Sequence, residues 1–160
     1  MLVLRKMFRN LNKIHTIKNK MKTQFIDTTQ IRVRYSETDQ MGYCYYGNYA
    51  SFFEVGRVEA LRKIGLSYRE LEESGVMLPV SHFEVDYKHP ALYDDELTIS
   101  TAIVELKGAQ LFFEYSIKNE KGILIALAKT TLVFVAKITM RPISPPQEFV
   151  DLVHAYRIEE

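Results

Sequence analysis

Apolar residues recur every three or four positions between Asn48 and Ile64, and charged residues fall between them. This spacing is that of an amphipathic helix with one buried side. Gly65 follows directly and is typical of a helix end. We therefore predict one long helix that stops at Gly65, with a buried side formed by Tyr49, Phe52, Phe53, Gly56, Ala60, Leu61 and Ile64.

The apolar period shortens to two in five other segments, which predicts strands. These segments are Gln30 to Tyr35, Val80 to Tyr87, Leu97 to Ile103, Leu111 to Lys118 and Ile123 to Lys137. In the first segment, Ile31, Val33 and Tyr35 would point inward. The stretch Asn119-Glu120-Lys121-Gly122 separates the last two segments and is typical of a hairpin turn, so that pair should be antiparallel.

Two shorter helices complete the predicted elements. Ser67 with Glu70 three residues later has the form of a capping box, and Gly75 would close that helix. Ser144-Pro145-Pro146 predicts an N-cap and first turn for a closing helix that buries Phe149, Val150 and Val153. The order of strand, long helix and four further strands predicts an α+β architecture, with an antiparallel sheet wrapped around one helix.

Composition favours one globular domain in a reducing compartment. A chain of 160 residues with 47% hydrophobic content can bury one core, and we expect residues 23–160 to form it. The single cysteine excludes an internal disulfide framework and favours the cytoplasm. The longest apolar run, residues 122–136, contains Lys129 and is shorter than the 18 or so residues that a membrane span needs, so we expect no span.

Charge is distributed unevenly along the chain. Residues 1–22 hold seven of the 21 Lys and Arg residues and no acid, which leaves 14 basic against 20 acidic residues in the remainder. A mildly acidic body is unsuited to nucleic-acid phosphates. The basic, amphipathic arm has the character of a membrane-surface helix or an organelle transit peptide, or else of a leader outside the fold with Met21 as the working start. We expect that the fold does not depend on it.

Asp39 begins the segment with the strongest chemical signal. An aspartate before a glycine turn, here Gly42, is by itself more often a turn residue or a cap. This one precedes an aromatic run and a helix start near Tyr46. A carboxylate is thereby placed opposite the free N–H donors of a helix N-terminus, an arrangement that suits attack on a polarised carbonyl.

The chain resembles the 4-hydroxybenzoyl-CoA thioesterase branch of the hotdog-fold acyl-CoA thioesterases. The most specific part of the resemblance is the spacing Asp-x-x-Gly-(x)5-Asn-Tyr, which runs from Asp39 to Tyr49. The resemblance covers about residues 28–150. Its segments are Arg34 to Gly42, Tyr46 to Tyr49, Phe53-Glu54 with Arg57, Tyr87 to Ala91 and Tyr93 to Leu97.

The resemblance implies a homodimer or homotetramer whose sites lie between protomers. The substrate would be an acyl thioester of coenzyme A, or of acyl carrier protein, and no metal or organic cofactor would be required. Asp39 would act as a nucleophile or as a general base, and the backbone N–H groups of Tyr46 and Gly47 would stabilise the oxyanion. Members of this branch often carry proline at position 47, so the glycine here holds the helix start less rigidly.

The neighbouring residues have competing interpretations. Asn48 would position the helix start. Tyr49, with Tyr43, Tyr45 and Tyr46, lines an acyl pocket or packs in a core or an interface. Glu54 is a second candidate carboxylate at the substrate, because some hotdog thioesterases carry their acid on the long helix. Its alternative role is an ion pair with Arg57, three residues later on the same helix.

Other candidates carry less weight. Cys44 has no histidine nearby and is expected to be an inert core residue, and His82 and His89 lack further partners at zinc-binding spacing. A hydratase of this fold would need a catalytic histidine, and none lies between Met21 and His82. The rival function is a non-catalytic acyl-thioester binding protein on the same fold.

Overall fold

Five antiparallel strands form the main sheet in the order β1-β4-β5-β6-β3, with one long helix against it. The computed structural model describes residues 25–156, so the N-terminal arm lies outside the described residues. The strands are β1 (Phe25–Arg32), β2 (Val76–Met77), β3 (Val80–Tyr87), β4 (Glu96–Lys107), β5 (Gln110–Asn119), β6 (Leu124–Val133) and β7 (Val135–Ala136). The helices are α1 (Tyr49–Lys63), α2 (Tyr68–Glu73) and α3 (Gln147–Ala155), and 3₁₀ turns occupy Tyr35–Glu37 and Tyr46–Asn48. The predicted α+β class is confirmed.

The predicted long helix is confirmed, with its buried side as expected. It packs closely on β4. A Cβ built on Gly56 would lie 2.7 Å from Thr101 Oγ1 and 2.8 Å from Ile99 Cγ2, so only glycine permits this approach. The inward residues of β4 complete this part of the core, since Leu97, Ile99, Thr101 and Ile103 are all buried.

The first strand differs from the prediction. It begins at Phe25 and ends at Arg32, because Arg32 pairs with Glu96, the first residue of its partner β4. After Arg32 only Val33 continues the pairing, since its N–H donates to Asp95 O and its carbonyl accepts from Asp94 N–H, each at 3.0 Å, and the chain then turns. Tyr35 was predicted to point inward, but it lies in a 3₁₀ turn and is 79% exposed, whereas Val33 is buried as predicted.

The closing helix also begins later than predicted. Ser144 is not its N-cap, because the helix starts at Gln147 with Pro146 in the N-cap position. A residue before proline is disfavoured in helical conformation, so two consecutive prolines delay the helix. Phe149 and Val153 are buried as expected, whereas Val150 is only half-buried.

The predicted hairpin between the last two long strands is confirmed. Gly122 N–H donates to Asn119 O at 2.9 Å, and Gly122 has the positive φ of 74° that this turn requires. The strand after the hairpin is shorter than predicted and breaks at Phe134, before the short β7. Within residues 25–156, no helix is both long enough and apolar enough to cross a membrane.

Candidate active site

Asp39 lies in a tight turn that fixes one of its carboxylate oxygens. Its N–H donates to Tyr43 O at 3.0 Å, and Gly42 N–H donates to Asp39 O at 3.0 Å. Gly42 has a φ of 81°, which favours glycine. Met41 N–H donates to Asp39 Oδ1 at 2.8 Å. Oδ2 has no hydrogen-bond partner among residues 25–156, and Asp39 is half-buried, so one oxygen is held by the turn while the other stays available.

The start of α1 presents two free backbone donors. The 3₁₀ turn Tyr46–Asn48 runs directly into α1. Asn48 N–H donates to Tyr45 O at 3.0 Å, and Tyr49 N–H donates to Tyr46 O. The N–H groups of Tyr46 and Gly47 have no acceptor in the described part of the chain. Because these donors lie at the positive end of a helix, they can bind a developing negative charge.

The carbonyl of Glu37 connects the turn around Asp39 to the helix start. It accepts from Tyr45 N–H at 2.8 Å and from Asn48 Nδ2 at 2.7 Å. Cys44 N–H, between the two, donates to Ala91 O at 2.8 Å. The side chain of Asn48 therefore ties the helix start to the segment before Asp39, and it makes no cap hydrogen bond to the helix.

The tyrosines near the site differ in how deeply they are buried. Tyr49 is buried and packs edge to face on Tyr87, with ring centroids 5.1 Å apart. Tyr45 and Tyr46 are exposed, and their ring centroids lie 4.6 Å apart. Tyr43 is half-buried, and its Oη donates to Met41 Sδ at 3.1 Å. Tyr49 thus belongs to the core, while the rings of Tyr45 and Tyr46 form a surface next to the free donors.

Cys44 has the environment of an unreactive thiol. It is buried, and burial raises its pKa to about 11, with Asn48 opposing this and the charges of Glu37 and Asp39 adding to it. At neutral pH the thiol is therefore protonated and is a weak nucleophile.

The predicted ion pair between Glu54 and Arg57 is wrong. Arg57 is only 8% exposed. Its Nε donates to Oη of Tyr68, in α2, at 2.9 Å, and its Nη1 donates to Oη of Tyr115, in β5, at 3.4 Å. Glu54 is exposed and has no ion-pair partner within residues 25–156. Burial alone would lower the pKa of Arg57, but the facing oxygens of Tyr68 and Tyr115 raise it. These two tyrosines were missed because spacing along one helix indicates only partners on that helix.

An open cleft of about 410 Å³ lies between the first half of α1 and the edge strand β3. Its walls are mostly apolar, and Glu54 and Arg57 are the charged residues that line it. The complete lining is Ala50, Ser51, Phe53, Glu54, Arg57, Val80, Phe83 and Thr130. Asp39, Tyr46 and Gly47 do not line this cleft. In the described chain, the Asp39 carboxylate and the apolar cleft therefore do not share one pocket.

Comparison with known proteins gives consistent results. The family model of the thioesterase-like superfamily matches residues 33–153. The acyl-CoA thioester hydrolase YbgC of Escherichia coli is 34% identical over 120 residues, which are 75% of this chain and 90% of the relative. The structure of a DHNA-CoA thioesterase from Staphylococcus aureus has a TM-score of 0.77 and 36% identity, over 82% of this chain and 89% of the other.

A mutant 4-hydroxybenzoyl CoA thioesterase in complex with 4-hydroxybenzoyl CoA is also similar. It has a TM-score of 0.74 and 25% identity, over 80% of this chain and 98% of the other. The chain therefore belongs to the thioesterase-like superfamily. The predicted hotdog fold and the predicted class of enzyme, a thioester hydrolase, are confirmed.

Proposed function

We propose that this protein hydrolyses an acyl-CoA thioester to a free carboxylic acid and coenzyme A. Family membership supports the reaction class. The observation that carries the proposal is local: Asp39, with one unengaged carboxylate oxygen, lies seven residues before a helix start whose Tyr46 and Gly47 N–H groups are free. Acyl transfer requires at least a nucleophile or base and donors for the oxyanion. Here the loop that carries the carboxylate is tied to the helix start by the two hydrogen bonds to Glu37 O.

The free donors would bind the thioester carbonyl oxygen and stabilise the negative charge that forms on it. In one route, Asp39 Oδ2 attacks the carbonyl carbon, the C–S bond breaks and coenzyme A leaves as a thiolate that takes a proton from water. The resulting mixed anhydride is then hydrolysed by water, which regenerates the carboxylate. In the other route, Asp39 removes a proton from water, the hydroxide adds to the carbonyl, and the proton passes to the departing thiolate. Neither route needs a metal or an organic cofactor.

The substrate-side roles are part of the same proposal. Asn48 acts by holding the helix start, and Tyr49 acts by packing beneath it. Glu54 lines the apolar cleft along α1, where we place the acyl group. Acyl carrier protein is the alternative thiol carrier. Its long pantetheine arm presents the same thioester, so the two carriers differ only in surface contacts outside the site.

A homodimer or homotetramer is the proposed assembly. Strand β3 is at an edge of the main sheet and presents Val80, Phe83 and Tyr87 to solvent. An edge strand with exposed apolar residues is suited to pairing with another strand. A second copy at this edge would cover the open cleft and bring a second set of site residues to it. Light scattering on the purified protein would measure the number of subunits.

The test is thiol release from a panel of short, medium, long and aromatic acyl-CoAs, repeated with acyl carrier protein thioesters. We expect turnover of at least one class by the wild type and its loss in Asp39→Asn, with ligand binding by calorimetry retained in both. If both proteins bind the ligand equally and neither releases thiol, the protein is a non-catalytic thioester binder instead.

A further inference from the structure

Tyr87 ends the edge strand β3 and contacts the start of α1. Its Oη donates a hydrogen bond of 3.0 Å to the carbonyl oxygen of Tyr46. Its ring is held edge to face by buried Tyr49, and its backbone pairs with Ala126 of β6. Burial raises the pKa of Tyr87 further above the neutral range, where a tyrosine hydroxyl is in any case protonated and can donate. Tyr87 is therefore held at its hydroxyl, at its ring and at its backbone.

The carbonyl of Tyr46 and the N–H of Gly47 belong to one peptide group. A trans peptide is planar, and its C=O and N–H bonds point in opposite directions. A hydrogen bond that fixes the direction of the Tyr46 carbonyl therefore also fixes the direction of the Gly47 N–H. That N–H is one of the two free donors at the helix start.

Outside the helical turn itself, few groups hold this peptide. Gly47 has no side chain to restrict its backbone. Tyr45, the N-cap of the 3₁₀ turn, makes no side-chain cap hydrogen bond, and the amide of Asn48 is engaged with the carbonyl of Glu37. The remaining bond to the Tyr46 carbonyl comes from Tyr49 N–H, within the helical segment itself. Tyr87 supplies the one side-chain hydrogen bond to this peptide within residues 25–156.

We infer that Tyr87 is a positioning residue for the oxyanion hole. Its hydroxyl holds the Tyr46–Gly47 peptide plane so that the Gly47 N–H points away from the helix, toward the place of the thioester oxygen. This inference rests on the proposed function for its effect on rate. The direction of the N–H, in contrast, is a property of the free protein and can be measured without turnover.

The experiment compares Tyr87→Phe with Tyr93→Phe. Both variants lose one phenolic hydroxyl and keep the ring, but the hydroxyl of Tyr93 makes no hydrogen bond within residues 25–156, and its ring packs edge to face on Tyr35. Labelling with ¹⁵N-glycine gives a sparse amide spectrum because the chain has seven glycines. The Gly47 signal is assigned by its loss in Gly47→Ala. Rates are measured on the best acyl-CoA of the panel.

In Tyr87→Phe we expect the Gly47 amide signal to shift or broaden, kcat to fall about tenfold and KM to stay within about twofold. An oxyanion donor acts on the transition state more than on the bound substrate, and outright loss of one donor costs about 10²- to 10³-fold. Tyr93→Phe should match the wild type in both measurements. Light scattering checks that the subunit number is unchanged.

Two results would overturn the inference. An unchanged Gly47 signal in Tyr87→Phe would show that the hydroxyl does not orient the peptide, whatever happens to the rate. A changed signal with an unchanged kcat would show that this N–H does not serve the oxyanion. If the wild type releases no thiol from any substrate, the proposed function fails, and the Gly47 signal alone then decides whether Tyr87 orients the peptide.

Discussion

The two ends of α1 differ in how their backbone groups are satisfied. At the C-terminal end, Gly65 N–H donates to Arg62 O at 3.0 Å and Leu66 N–H donates to Leu61 O at 2.9 Å. This is a Schellman motif, and Gly65 has the positive φ of 88° that the motif requires. The last turn of the helix is therefore completed by the chain itself.

The N-terminal end is left incomplete. The N–H groups of Tyr46 and Gly47 have no partner within residues 25–156, and Tyr46 is 62% exposed. Water satisfies such donors in the free protein, so leaving them open costs little stability. The difference teaches that the chain satisfies its own backbone groups at one end of the helix and leaves two donors unpaired at the other, which is the end where we propose that the thioester binds. Changes at the two ends should accordingly affect different properties.

The largest expected effect comes from Asp39→Ala at the open end. We expect turnover to fall by about 10³-fold or more, because the attacking group is lost, with little change in the free energy of unfolding. Thiol release and a urea titration measure the two properties. Turnover within a few-fold of the wild type would instead assign the chemistry to Glu54.

The second prediction concerns the interior beneath the open end, where burial raises the pKa of Cys44 from 9.0 to about 11 and that of Tyr49 from 10.0 to about 12. The folded protein keeps these protons at pH values where the unfolded chain loses them. Stability is therefore full below about pH 9 and falls between pH 9 and about 11 on account of Cys44, and between pH 10 and about 12 on account of Tyr49. Urea midpoints from pH 8 to 10 should decline less steeply in Cys44→Ala than in the wild type. If the urea midpoint declined equally with pH in both proteins, the raised pKa of Cys44 would be contradicted.

A smaller effect is expected from Gly65→Ala at the closed end. The open space around this glycine admits a methyl group, but its positive φ does not suit alanine. We expect a loss of about 1–2 kcal/mol in the free energy of unfolding, with kcat and KM unchanged. A variant with normal stability and reduced turnover would reverse the proposed division between the two ends.

The smallest effect is expected from Glu54→Gln in the middle of α1. Because Glu54 has no ion-pair partner in the described residues, the free energy of unfolding should change by less than about 0.5 kcal/mol. Arg57→Gln is the matched comparison, since it removes a buried group that contacts Tyr68 and Tyr115. A loss of stability in Glu54→Gln as large as that in Arg57→Gln would contradict the finding that Glu54 has no ion-pair partner in the described residues.

The sequence predicted most of the fold because its pattern is local. The period of α1 and the turn at Gly122 each depend on residues close together in the chain, and both were confirmed. The end of β1 depends on where its partner begins, at Glu96, more than sixty residues later, and the pattern predicted it wrongly. Arg57 was misinterpreted for the same reason, because Tyr115 is 58 residues away.

In the candidate site, too, only the features that depend on residues close together in the chain were predictable. The spacing from Asp39 to Tyr46 identified a turn followed by a helix start, and both are present. The bond from Tyr87 to Tyr46 joins residues 41 apart, so no spacing could indicate it. The identity of the acyl group depends on how the cleft along α1 is covered. In the proposed assembly a second copy covers it, so the shape of the pocket cannot be predicted from residue spacing in one chain.

The close contact at Gly56 has a consequence for the height of the helix above the sheet. Position 56 lies seven residues from Tyr49, about 10 Å along a nearly rigid rod. Any side chain at position 56 would push α1 away from Ile99 and Thr101. Because the helix is nearly rigid, its N-terminal end would move as well. A single methyl group in the core, far along the chain from Asp39, would therefore displace the backbone N–H groups that we propose as donors to the thioester oxygen.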